Sequence, residues 1–110
     1  MNDQTPISSD ILSISPDRDA DIVKALASLP RMQILRLLRH RGPMNVNEIS
    51  EALAQPQSTV ATNVQTLEAC GLIETRAMKA NKGRQKICHA RYGEIMIRFY
   101  DPPLDRKSVV

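Results

Sequence analysis

Helix punctuation constrains this sequence more than any other feature. Between residues 15 and 71, Ser15-Pro16-Asp17, Pro30, Gly42-Pro43, Pro56 and Gly71 follow one another in quick succession. Proline fits only the first turn of a helix and glycine readily ends one, so these residues divide the segment into short helices. Apolar spacing agrees with the division. Ile22, Val23, Leu26 and Leu29 keep steps of three and four after Ser15-Pro16-Asp17, which reads as a helix start with Ser15 as N-cap. Met32, Ile34, Leu35, Leu37 and Leu38 give a second helix that begins at Pro30 and closes on Arg39-His40-Arg41 before Gly42-Pro43. Asn45 with Glu48 predicts a capping box for a third, short helix carrying Val46, Ile49, Ala52 and Leu53. Pro56 opens a fourth, in which Val60, Val64 and Leu67 point inward and which Gly71 ends.

Beyond Gly71 the pattern changes. Leu72 to Thr75 and Gln85 to Ala90 read as two strands around the polar loop Lys79 to Arg84, a hairpin with a basic tip. A further β-like stretch, Ile95 to Tyr100, stops at Asp101-Pro102-Pro103 and is suited to pair with Ile11 to Ile14. With no Trp, one Phe and two Tyr, the core must come from aliphatic residues, which favours helices over a large sheet. At 110 residues the chain suits one domain. The expected organisation is an N-terminal arm over 1–14 with a short strand, a domain over 15–100 and a flexible tail over 101–110.

Charge is distributed unevenly. The net charge is only +3, yet Arg76, Lys79, Lys82, Arg84, Lys86 and Arg91 fall within residues 75 to 93 with no carboxylate among them. Such a local excess attracts a polyanion. Neither a secretory signal nor an apolar run long enough to span a membrane is present, so the expectation is a cytoplasmic protein without a membrane partner. Cys70 and Cys88 are then reduced thiols rather than a bridge.

The order of helix, helix, short helix, polar-faced helix and basic hairpin defines the expected fold: mainly α with a small β-hairpin wing, a winged helix-turn-helix. The residues Lys24-Ala25-Leu26-Ala27-Ser28-Leu29-Pro30-Arg31-Met32-Gln33-Ile34-Leu35, and the run from Gln57 to Ile73, resemble the ArsR-like bacterial regulators. The resemblance covers roughly Asp21 to Phe99. It implies a homodimeric repressor of transcription that binds double-stranded DNA. Some relatives carry a metal-binding cysteine pair at the opening of the third helix. Here that segment reads Asn45-Val46-Asn47-Glu48, so no metal site of that kind and no cofactor is expected. The family's long dimer-forming helix after the wing is also absent from the pattern. Dimerisation then falls to the first helix and the terminal strands, or the chain is the DNA-binding part of a larger regulator.

A helix offered to a major groove needs one apolar face against its domain and short polar side chains on the other. Gln57, Ser58, Thr59, Thr62, Asn63 and Thr66 are the expected base and phosphate contacts on that helix. Lys79, Lys82, Arg84 and Lys86 of the wing are expected to meet flanking phosphates or the minor groove. The alternative is a winged helix used for protein docking. An enzyme is not expected, because no phosphate-binding glycine loop or nucleophile motif is present. No residue pattern names an effector.

Overall fold

The computed structural model describes residues 10–80 and 83–100. The first part of the chain, Ile11–Ile14, is strand β1. Residues 1–9, the rest of the arm expected over 1–14, and residues 101–110, the expected tail, lie outside the described residues.

Helix α1 spans Ala20–Leu26, four residues after the start signal at Pro16. The intervening residues form a turn instead. Asp19 accepts from the Ser15 amide through Oδ2 at 3.0 Å and donates its own amide to the Ser15 carbonyl at 2.7 Å. A short acidic side chain that satisfies nearby backbone groups competes with a helix, and here it delays one. Helix α2, Leu29–Arg41, begins at the Ser28 N-cap, whose hydroxyl accepts from the Arg31 amide. It ends at Gly42, and Met44–Asn45 follows as a two-residue strand, β2.

Asn45 then caps α3, Val46–Leu53, with both bonds of the capping box in place. Ala54 makes the turn that follows at φ 54°, and the Ser50 hydroxyl donates to the Gln55 carbonyl across it. Helix α4, Gln57–Ala69, starts from Pro56 and buries Val60, Val64 and Leu67 as the spacing predicts. Strands β3, Ile73–Ala80, and β4, Gly83–Ala90, then form the antiparallel wing. They are longer than the sequence pattern indicates: most of the residues assigned to the polar loop are paired, with Lys79 opposite Arg84. Strand β2 adds to the outer side of β4, a pairing the sequence pattern did not reveal.

The last strand, β5, covers Glu94–Ile97 and runs parallel to β1, with Leu12 opposite Ile95 and Ile14 opposite Ile97. That pairing ties the two ends of the described chain together. The core is aliphatic: Ile14, Ile34, Ile49, Val60, Leu67, Leu72 and Ile73 are almost wholly enclosed, together with Cys88. At roughly 1.5–3 kcal/mol for each fully buried aliphatic side chain, this cluster is what holds α4 and the base of the wing in fixed relation. Among the described residues, no helix is long and apolar enough to cross a membrane.

Candidate nucleic-acid interface

Helix α4 presents a face without charge. Gln57, Ser58, Thr59, Thr62 and Gln65 are exposed, while Val60, Val64 and Leu67 hold the opposite side in the core. The hydroxyls of Thr62 and Thr66 donate back along the helix to the carbonyls of Ser58 and Thr62, at 3.0 and 3.2 Å. Each hydroxyl oxygen keeps its lone pairs for an outside donor. Gln57 donates to Asn47 of α3, which fixes its side chain at the head of the helix. No side chain caps the first turn of α4, so its amides are left to solvent or to an anion.

One expectation for this helix needs correction. Asn63 does not face outward: it is 9% exposed, and its Oδ1 accepts from Arg31 Nη1 at 3.1 Å. It lies three residues after Val60 and four before Leu67, so the helical period puts it beside the buried stripe. Thr66 is half-buried for a similar reason. Gln65, three residues after Thr62, is exposed on the same face, and the same period identifies it.

The wing supplies cations beside this helix. Successive strand residues face opposite sides, and the face that buries Ile73 and Cys88 at the base carries Ala77, Lys79, Arg84 and Lys86 farther out. Lys79, Arg84 and Lys86 are all exposed. Lys79 stands directly opposite Arg84, a like-charge pair that costs stability unless an anion lies against it. Arg76 occupies the other face and is partly neutralised by Glu74 at 3.3 Å. Lys82, assigned to the same patch, lies outside the described residues.

Two hydrogen bonds lock the wing to the helices. Thr75 donates to Glu68 of α4 at 2.6 Å, and Asn45 donates through Nδ2 to Gln85 of β4 at 2.8 Å. The wing is therefore held in fixed relation to α3 and α4. Burial pushes the Cys88 thiol up to about 11, and partial burial raises Cys70 as well, so both are held as thiols at neutral pH. Among the described residues there is no cluster of three or more His, Cys, Asp or Glu placed to hold a metal ion.

The family described as HVO_A0114 matches residues 26–97, nearly the whole span from the end of α1 to β5. This chain belongs to the HVO_A0114 family. A relative of this chain, the uncharacterized HTH-type transcriptional regulator MJ1325 of Methanocaldococcus jannaschii, is 33% identical over 60 residues. That match covers 54% of this chain and 67% of the relative.

Solved structures of the same fold include the homodimeric winged helix-turn-helix DNA-binding domain of Mb0332 from Mycobacterium bovis, described as a possible ArsR-family transcriptional regulator. It is 32% identical with a TM-score of 0.59, and the match covers 68% of this chain but 65% of that one, just under two thirds. Reduced HlyU from Vibrio cholerae is 26% identical with a TM-score of 0.59, over 70% of this chain and 76% of its own. The HVO_A0114-family chain is thus an ArsR-like winged helix-turn-helix protein, as its sequence resemblance implied. Both MJ1325 and Mb0332 are described as transcriptional regulators, Mb0332 as a possible one.

Proposed function

We propose that this protein is a transcriptional regulator that binds double-stranded DNA in a sequence-specific way. Helix α4 enters the major groove and the wing follows the flanking backbone. The observation that carries this reading is the fixed relation of α4 and the wing. Short hydroxyl and amide side chains occupy one helix face, and Lys79, Arg84 and Lys86 stand exposed on the adjoining hairpin face. Neutral hydrogen-bonding groups suit base edges, and cations suit phosphates.

Ser58, Thr59, Thr62 and Gln65 are the proposed base-reading residues, with Gln57 at the phosphate end and Thr66 at the margin. The uncapped first turn of α4 adds its partial positive charge near a phosphate. By analogy with the homodimeric Mycobacterium bovis domain, the acting unit is a homodimer on a two-fold symmetric site. It acts as a repressor, by occupying promoter DNA.

The test is selection of duplexes from a random pool by the purified protein, followed by titration of the selected sequence at two salt concentrations. A palindrome with half-sites roughly one helical turn apart, bound less tightly as salt rises, supports the proposal. Failure to enrich any sequence, with no salt-sensitive binding, would replace it with a protein-docking role.

A further inference from the structure

One side of α2 and the inner face of β5 form the two walls of an open groove of about 740 Å³. Its lining is apolar where a soluble surface is ordinarily polar. Leu29 and Met32 on α2 are 64% and 47% exposed, and Ile97 on β5 is 40% exposed. Leu29 and Met32 lie three apart on one helix face, and Ile97 shares its strand face with Ile95, so the exposed residues converge on one cleft.

The strand wall is itself incomplete. β1 and β5 make a two-stranded parallel sheet with no further strand among the described residues. Parallel sheets are normally covered on both faces, and two strands alone are only marginally stable. One face of this sheet is only partly covered where the groove opens beside Ile97, and the other carries Met96, also exposed.

We propose that the groove is closed by the same groove of a second copy of this chain, related by a two-fold axis. This rests on the homodimer in the function proposed above and assigns its interface. The charges at the groove favour a like partner over an unrelated one. Arg36 and Arg39 line the α2 wall, Arg39 being already paired with Asp10 at 2.9 Å, and Glu94 lines the β5 wall. A two-fold axis running along the groove sets the α2 wall of one copy against the β5 wall of the other, so that each basic rim meets an acidic one. That self-complementarity is what an isologous contact requires and what a foreign partner does not. No groove residue belongs to α4 or to the outer part of the wing, so the surface proposed for DNA stays free.

The experiment is sedimentation equilibrium of the full chain and of three variants, Met32→Glu, Ile97→Glu and Met78→Glu. Met78 is 53% exposed on the wing and serves as the control. The expected result is a dimer for the wild type and for Met78→Glu. Met32→Glu and Ile97→Glu should each raise the dimer dissociation constant roughly thirtyfold or more, as loss of a central interface residue does, with unchanged far-UV circular dichroism.

A dimeric wild type with both groove variants still dimeric would overturn the interface and leave the homodimer standing. A monomeric wild type would overturn the homodimer itself. Should a groove variant fail to fold, hydrogen exchange of the wild type decides. Protection of α2 and β5 must rise with protein concentration. Protection that is independent of concentration would mean that residues 101–110 or nothing at all fills the groove, and the proposal would fall.

Discussion

Arg31 donates through Nη1 to the buried Oδ1 of Asn63, 3.1 Å away, and through Nε to the Ala25 carbonyl, 2.7 Å away. One guanidinium thereby joins the end of α1, the first turn of α2 and the middle of α4. Its Nη2 also reaches the Lys24 carbonyl at 3.4 Å. The fork geometry of arginine serves several acceptors at once, which the single ammonium of lysine does not reproduce. The pose of the proposed recognition helix depends on this contact as well as on apolar packing.

Replacing Asn63 with Leu keeps the volume but removes the acceptor, leaving part of the guanidinium unpaired in a half-buried site. The expected loss is about 1–3 kcal/mol of folding stability, read from the urea midpoint. An unchanged midpoint would show that the contact holds nothing.

Thr62→Ala has the opposite signature. Its side chain is exposed and its hydroxyl donates to the Ser58 carbonyl of its own helix, so the fold should be nearly indifferent. Specific duplex binding should weaken by about 1–3 kcal/mol while binding to unrelated duplexes stays the same. Equal loss on both duplexes would place Thr62 on phosphate instead of a base.

Removing the facing cations Lys79 and Arg84 together, as Ala, should reduce the slope of log affinity against log salt by roughly one for each lost phosphate contact. Since the two stand directly opposite in the register, the free protein should keep its stability or gain slightly from relief of repulsion. A salt slope equal to the wild type's would remove the wing from the proposed interface.

The turn between α3 and α4 holds a local misfit. Ala54 adopts φ 54°, a left-handed conformation that costs a residue with Cβ roughly 1–2 kcal/mol and glycine almost nothing. Ala54→Gly relieves that cost but adds about 0.4–1 kcal/mol of unfolded-chain entropy. The net expectation is a thermal midpoint at or slightly above the wild type's, in contrast to Gly71→Ala, where a native φ of 85° predicts a clear loss.

Cys88 should resist thiol reagents in the folded protein, since burial holds it protonated up to about pH 11. The folded state binds its proton more tightly than the unfolded state, whose thiol titrates near its ordinary value of 9.0. Its contribution to stability is therefore complete below that value and is lost as pH rises from about 9 toward 11. Denaturant midpoints measured across that window should fall in the wild type and fall less in Cys88→Ala.

The residues that bound each helix were legible because their work is local. Ser28, Asn45 with Glu48, Gly42 and Gly71 act on backbone groups a few residues away, and a linear reading finds them. The inward stripe of α4 and its polar face followed from the same short-range period. The same period sets Asn63 beside the buried stripe, and α1 starts only at Ala20 because Asp19 offers its carboxylate to the turn before it.

By itself, then, the sequence determined the helices, their order, the hairpin with its excess of cations, and the ArsR-like plan they compose. Tertiary structure decided the rest. Asn63, which the helical period sets beside the buried stripe, is satisfied there because Arg31, thirty-two residues earlier in the chain, arrives with a donor. Lys79 faces Arg84 because of a strand register that propensity does not specify. Leu29, Met32 and Ile97 look like core residues in sequence and lie open in a groove, because burial depends on whether another surface packs against them. An apolar residue carries only the drive to leave water, and where it goes is set by the geometry of partners far away along the chain.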